Sequence, residues 1–497
     1  MLLEADGVAR LRDALVDADY TVDGVLATLG PLAYAALSRE ESVPALRVTV
    51  GGSRLETLVR LFLLQHPVDA AAAARALPVE ACLAGGLVER DGTDVRARVD
   101  LRPYAADDDD FYVVSDLGAG LGGARRTLHA EHVLGLSGAS TTLAGLTVRE
   151  PFATALDLGT GCGVQALHLS RHVDRVTGTD RSPRALSFAA LSTALSEVSI
   201  ELVEGSLFEP VAGRRFDLVV SNPPFVVSPM VGGRRFTYRD SGLPGDEVCR
   251  RLVGQASAHL SEGGWCQLLA NWLHVDGQDW RERVASWVLP TGCDAWVVQR
   301  DVQDPAEYAE LWLRDSGDQL SADYRDLYDA WLGAFASDAV VGIGFGWIVL
   351  HAAGHDQPYA RLDELTWPVE QPLGLAVLDW FARHDWLRAH GDDQLLAATL
   401  VTDPGLVLRQ DSRLGSGPTG GWQPSDQVVL LTEGLRGSGA IDAVGAAVLG
   451  SCDGSRPLAL VLDQVAGAYE MSPDDLRHGA VGAIRSLIEE GFLRPSV

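Results

Sequence analysis

At 497 residues, with 47% hydrophobic and only 7% aromatic content, the chain is long enough for two or three domains of ordinary globular composition. Its formal charge is −28 and all 40 basic residues are arginine, so the chain lacks the overall basic footprint of a general nucleic-acid binder. No apolar stretch reaches the roughly 18–20 residues needed to cross a membrane, and Glu4 and Asp6 stand where a secretory leader would be basic. The scattered Cys82, Cys162, Cys249, Cys266, Cys293 and Cys452 form no Cys-x-x-Cys pair. They predict neither a disulfide framework nor a zinc ribbon, and a reducing, cytoplasmic location.

In chain order, Gly7–Ala18 and Arg54–Leu64 have helical apolar spacing, and Val68–Ala76 predicts a further short helix. Leu87–Thr93 and Val95–Leu101 predict a hairpin turning at Asp91-Gly92. Helices followed by a hairpin suggest a winged-helix-like module over residues 1–105, and its acidic setting favours a cap beside a site over DNA reading. The run Asp107–Asp110 predicts a solvated linker, and Phe111–Val114 a strand. Within His129–Thr142, His132 is either a substrate or cofactor contact or a surface or satisfied core histidine.

Ala155–Leu158 then predicts a strand entering the turn Gly159-Thr160-Gly161-Cys162-Gly163, with a helix over Gln165–His172. Glycines there permit unusual backbone angles and close ligand approach, and a helix start favours an anion, phosphate or carboxylate alike. The bulky Val164 breaks the dinucleotide fingerprint, and no Walker lysine exists in a lysine-free chain. Arg175–Thr179 predicts a second strand ending at Asp180, placed either to bind ribose hydroxyls or to cap the helix that starts at Pro183. Ile200–Gly205 predicts the third strand, with Ser206 and Leu207 after it.

Arg215–Ser221 predicts a buried strand ending in Asn222-Pro223-Pro224-Phe225. The Asn222 side-chain oxygen and the Pro223 backbone oxygen can accept the two N–H groups of a planar nitrogen, with the Phe225 ring against its face. The alternative is an ordinary Asn/Pro turn. The loop 226–246 carries Arg234, Arg235 and Arg239 among glycines and reads as a mobile lid, with Arg125 and Arg126 near the same mouth. These arginines either meet RNA or another anion or balance charge. Gly264–Leu269, Ala295–Arg300 and Val340–Leu350 supply further strands, and 304–338 is a helical insertion that packs on the core or binds a partner. From about residue 356 the composition shifts to Pro/Gly turns, followed by helical patterns and Gly491-Phe492-Leu493, a second winged-helix-like pattern. Residues 400–497 hold 7 arginines against 12 acidic residues, which favours a scaffold or protein-contact role.

The glycine turn and the Asn-Pro-Pro-Phe turn, paired in this order within residues 110–350, resemble class I S-adenosylmethionine (SAM) dependent methyltransferases. The nearer resemblance is to the Asn-Pro-Pro-Phe/Tyr N-methyltransferases: HemK-like protein glutamine methyltransferases, small-domain ribosomal RNA guanine methyltransferases and adenine-N6 methyltransferases. It implies an α/β fold, a doubly wound seven-stranded Rossmann-like sheet over 106–355, with accessory domains over 1–105 and 356–497. It implies SAM held by Asp157, Gly159, Thr160, Gly161, Gly163, Asp180, Ser206, Leu207 and Asn222, and catalysis by Asn222, Pro223 and Phe225. Ser206 stands where the family often has an acidic residue. No metal is expected, and no general base is evident. The implied acceptor is a protein glutamine side chain; the alternatives are an RNA base (guanine N2 or adenine N6), a small molecule, and a non-catalytic interaction protein that keeps the fold. An accessory protein partner is compatible with the terminal domains, and no membrane partner is expected.

Overall fold

A computed structural model describes residues 2–106, 109–118, 128–229, 238–415 and 421–496. The chain divides into two compact units, Met1–Ala144 with Glu150–Thr366, and Trp367–Val497 with the short segment Gly145–Arg149.

The first unit is built on an eight-stranded sheet. Its strands, labelled in chain order, are β1 (Phe152–Leu158), β2 (Val173–Asp180), β3 (Glu201–Glu204), β4 (Phe216–Ser221), β5 (Leu260–Val275), β6 (Asp294–Gln303), β7 (Val340–His351) and β8 (Ala360–Glu364). Their spatial order is β3-β2-β1-β4-β5-β7-β6-β8. Strands β1 to β5 run parallel, β7 is antiparallel to both neighbours, and β8 lies parallel to β6. This is a doubly wound Rossmann-like sheet, as the sequence pattern implied. Ala155–Leu158 and Leu218–Ser221 are buried without alternation, as strands covered on both faces must be. The strand order reverses between β1 and β4, the switch point where open α/β sheets leave a crevice at their carboxyl ends.

The sequence pattern implied seven strands, and β8 is the eighth. Its Ala-Arg-Leu-Asp-Glu run carries three charged residues in five and shows no buried apolar face, so no period marks it as a strand. It forms because the exposed edge of β6 offers unpaired backbone groups.

One face of the sheet carries helices Glu247–Ala256 and Trp280–Val288, packed through Val253, Trp280 and Val284 onto Leu156, Val219 and Trp272. The other face shares a single apolar cluster with the N-terminal region. Leu11, Leu15, Leu58 and Phe62 pack in the same core as Val164, Leu167, Phe188 and Leu191.

Several N-terminal expectations change. Helix Val22–Leu37 was hidden by Gly30 and Pro31, which kink it: Gly30 takes φ 71° inside the helix. Val68 and Asp69 form a short strand against Val95 and Asp94, and the helix begins only at Ala70, where Asp69 accepts hydrogen bonds from the Ala71 and Ala72 amides. The stretch Val95–Leu101 is not one return strand. Asp94–Ala97 closes the hairpin with Val88–Asp91, while Val99–Ala106 pairs with Asp109–Asp116. Asp109 and Asp110 therefore open a strand rather than a linker, and Asp107 and Asp108 lie outside the described residues. That second hairpin is tied to helix Pro183–Leu195, because the Ser192 and Ser196 hydroxyls accept from the Val114 and Tyr112 amides.

The insertion after β6 forms helices Pro305–Asp315 and Tyr324–Ser337, whose Tyr308, Trp331 and Phe335 join an apolar cluster with Val226 and Val227. In the second unit, helices Gly374–Ala389, Ala443–Ser451, Leu458–Ala468 and Pro473–Glu489 bury Leu387, Leu449, Leu462 and Ile488 against a small sheet of Thr399–Thr402, Asp453–Pro457 and Leu493–Pro495. Among the described residues, no helix is long and apolar enough to cross a membrane.

Candidate active site

Backbone register brings the two turns together. Leu158 pairs with Ser221 across β1 and β4, and the Ser221 hydroxyl donates to the Leu158 carbonyl at 2.8 Å. Gly159 and Asn222 therefore leave the sheet side by side, although they are far apart in sequence. A cavity of about 290 Å³ opens there. Its walls include Gly159, Thr160, Gly161, Asp180, Ser206, Leu207, Asn222, Pro223, Pro224, His132 and Tyr238.

The three glycines of the first turn all have positive φ, 78° at Gly159, 56° at Gly161 and 91° at Gly163. A Cβ at Gly159 or Gly161 would meet no protein atom within 4 Å, whereas one at Gly163 would press on Ala189 at 3.4 Å. The first two thus expose bare backbone to the cavity, and the third lets two helices approach. Asp157, expected to touch the cofactor, lies beneath the turn instead. Its Oδ2 accepts from the Thr160 hydroxyl at 2.6 Å and the Ala166 amide at 3.1 Å. Burial pushes its carboxyl up to about 7, against those two hydrogen bonds.

Asp180 lines the cavity at the end of β2. One carboxylate oxygen accepts from the Gly161 amide at 3.0 Å and the other from the Ser182 amide at 2.8 Å, so it braces the glycine turn. Burial raises its carboxyl, with those amides acting in opposition. The helix cap itself is Ser182, whose hydroxyl accepts from the Ala185 amide, with Pro183 in the first turn. Ser206 and Leu207 follow β3 into the cavity wall, and Leu207 holds a left-handed φ of 49°, a strained conformation for a branched side chain.

Asn222 is half-buried in the wall, and its amide makes no hydrogen bond to the described residues. The Pro223 carbonyl already accepts from the Phe225 amide at 2.7 Å, leaving its second lone pair for a ligand. Phe225 turns away: it packs between the two neighbouring apolar clusters and forms a β-bridge with Asp240.

Of the expected arginine cluster, Arg125, Arg126, Arg234 and Arg235 lie outside the described residues. Arg239 is 4% exposed. It donates to the Trp312 carbonyl at 2.6 Å and pairs with Asp240 at 3.5 Å, so it is an internal brace and not a surface cation.

Two features were missed from sequence. Helix Pro305–Asp315 grips both legs of the loop after Asn-Pro-Pro-Phe. The Tyr308 hydroxyl accepts from the Val227 amide at 2.9 Å, the Trp312 carbonyl takes Arg239, and Asp315 accepts from the Tyr238 hydroxyl at 2.5 Å. Positions 308, 312 and 315 share one helix face, a spacing visible in the sequence without any hint of its partner. The second feature is an ion network behind His132. Asp116 accepts from the Val133 amide at 2.9 Å and from both arms of Arg184, and His129 and His132 lie 3.4 and 3.9 Å from it. Burial alone would raise the Asp116 carboxyl, but Arg184 and the Val133 amide bring it below its ordinary value. One ligand atom from each of Asp116, His129 and His132 lies within 4.8 Å of the others, yet the Arg184 guanidinium on Asp116 already supplies a cation.

Fold and site together define a Rossmann-like unit with a cavity at the carboxyl ends of its parallel strands. Residues 137–276 match the family model described as the methyltransferase small domain. Two models described as domains of unknown function match residues 17–98 and 378–495. The chain is similar to the release factor glutamine methyltransferase of Geobacter sulfurreducens, 37% identical over 165 residues, covering 30% of this chain and 55% of the relative. The enzyme of the same description from Deinococcus radiodurans is 41% identical over 118 residues, 22% of this chain and 42% of that one. A ribosomal RNA small subunit methyltransferase C from Alcanivorax borkumensis is 34% identical over 116 residues, 23% and 31%. The chain thus spans about half or less of the length of these relatives.

Proposed function

We propose that this protein is a SAM-dependent N-methyltransferase acting on a planar NH₂ group, with a protein glutamine side chain as the acceptor. The observation that carries the reading is the single cavity in which the bare glycine backbone of 159–161, Asp180 and the unengaged amide of Asn222 meet. These residues suit the cofactor: exposed backbone at Gly159 and Gly161, a carboxylate at Asp180, and Ser206 and Leu207 beside a flat ring. SAM, when bound, supplies a methyl group activated by its sulfonium.

The chain's own residues supply position and charge. The Asn222 oxygen and the Pro223 carbonyl accept the two N–H groups of the acceptor. That fixes its orientation, enriches its weak lone pair and stabilises the positive charge that grows on nitrogen. Phe225 supports the turn from behind, packed into the clusters that flank it.

A glutamine acceptor is favoured over RNA by charge. The chain carries −28, and Arg239, one of the arginines that argued for RNA, is committed to an internal pair. The relatives named for release factor glutamine methylation support the same choice. The reducing cytoplasm, with the six cysteines free and buried, is the proposed location.

The test is incubation of the full chain with radiolabelled SAM and cell extract, followed by protease or nuclease treatment. Label lost only to protease supports the reading, and label lost only to nuclease replaces the acceptor with RNA. Asn222→Ala is expected to keep SAM affinity and lose about 100-fold or more in turnover, the scale of a deleted oxyanion donor. Unchanged turnover would remove Asn222 from the chemistry.

A further inference from the structure

We propose that His132 is a catalytic residue that accepts the proton leaving the acceptor nitrogen, an inference that rests on the methyl-transfer reading above. His132 is 4% exposed and forms part of the cavity wall. Its ring makes no hydrogen bond to the described residues, and the nearest carboxylate oxygen, on Asp116, is 3.9 Å from Nδ1. A buried imidazole facing a cavity with no hydrogen-bond partner is poised for a ligand rather than for packing.

The position is at the acceptor end. The His132 ring meets the Tyr238 ring edge to face, with centroids 5.7 Å apart. Tyr238 lies two residues before Asp240, which is bridged to Phe225 of the acceptor turn. His132 and Asn222 to Pro224 thus line one cavity, linked through Tyr238 and the bridge at Asp240.

The groups facing the ring arrive from several elements. Asp116 comes from the end of its hairpin strand, Arg184 from the helix after β2, His129 from its own segment, Tyr238 from the loop and Asp315 from the insertion helix. Burial is the leading influence and favours the neutral ring. His129 and Arg184 act in the same sense, while Asp116 and Asp315 oppose them, and the net shift is below the ordinary histidine value. The ring is thus neutral, a proton acceptor, at physiological pH.

The step balances. The acceptor nitrogen uses its lone pair to form the N–CH₃ bond, and the S–CH₃ bonding pair stays on sulfur. The nitrogen then carries a positive charge and one proton too many. One of the two protons held by the Asn222 and Pro223 oxygens then leaves that contact and passes to the free imidazole nitrogen, giving a neutral N-methylamide and an imidazolium beside Asp116. The imidazolium then returns the proton to solvent.

The experiment is an NMR titration of the full chain labelled with ¹³C-histidine, the His132 signal being identified by its loss in His132→Gln or His132→Asn. It is run with S-adenosylhomocysteine, which is neutral at the transfer position, and with sinefungin, which carries an ammonium there. The expected result is a His132 midpoint below that of free imidazole, lower with sinefungin than with S-adenosylhomocysteine. With purified release factor as acceptor, the acidic limb of the rate profile is expected to follow His132. His132→Gln should lose that limb and about 100-fold in kcat at unchanged SAM affinity, the scale of general acid–base catalysis. The exposed neighbour variant His129→Gln should keep both. Equal His132 midpoints in the two complexes, or an acidic limb retained in His132→Gln, would overturn the assignment. If neither ligand binds, the methyl-transfer reading falls first and takes the inference with it.

Discussion

Tyr308→Phe is the sharpest test of how the acceptor turn is held. The ring stays buried among Trp331, Phe335 and Phe345, so the packing of helix Pro305–Asp315 is preserved. Only the hydroxyl goes, and with it the acceptor of two buried donors, the Val227 amide at 2.9 Å and the Asn271 side-chain amide at 3.0 Å. Each donor left unpaired away from water costs about 1–3 kcal/mol. The two therefore cost about 2–6 kcal/mol, and the Val227 share alone is about 2 kcal/mol. That share should be read locally, because a chain with two compact units need not unfold in one step. Hydrogen exchange at the Val227 amide is the assay, and about 2 kcal/mol predicts roughly 30-fold faster exchange. Turnover should fall with it while SAM affinity holds, since Val227 follows the acceptor turn and not the glycine turn. Exchange within threefold of the parent protein would refute the claim that the insertion helix positions this segment.

Two further outcomes follow from the same geometry. Asp180→Ala removes the carboxylate that accepts from Gly161 and Ser182 at the cavity edge, and should weaken SAM binding about 10- to 100-fold by calorimetry. Unaltered affinity would leave Asp180 as a brace alone. Burial pushes the Asp157 carboxyl up to about 7 in the fold, from an ordinary value of 3.8. A raised carboxyl stabilises the fold fully below its unfolded value, and that contribution is lost as pH rises through the folded one. The contribution is about 4 kcal/mol, from about three units at roughly 1.4 kcal/mol each. Asp157→Asn keeps an oxygen for Thr160 and Ala166 and should flatten this slope between pH 4 and 8 in urea unfolding of the full chain. A variant with the parent's slope would contradict the burial argument.

The chemistry-bearing residues were legible because each turn is local. Three glycines after an apolar strand declare positive φ at Gly159, Gly161 and Gly163, and two prolines after Asn222 restrict the backbone to a turn. Strands β1 and β4 announced themselves through the short apolar runs that end at Leu158 and Ser221, as a doubly covered parallel sheet requires. The order of the two turns along the chain was enough to suggest that they share a cofactor site.

What the sequence could not contain was distance between residues remote along the chain. The pairing of Leu158 with Ser221 turns two separate motifs into one cavity, and it depends on a strand register set by the whole sheet. Asp157 looked like a ligand and proved a buried support, because alternation along β1 does not say which side the cavity takes. Phe225 read as a stacking face and instead packs into the two neighbouring apolar clusters, beside its β-bridge to Asp240. Tyr308, Asp315 and His132 carry no local signal of their partners, and only long-range packing sets them against Val227, Tyr238 and Asp116. Local backbone chemistry wrote the turns into the chain, and the tertiary fold decided which side chains face the space between them.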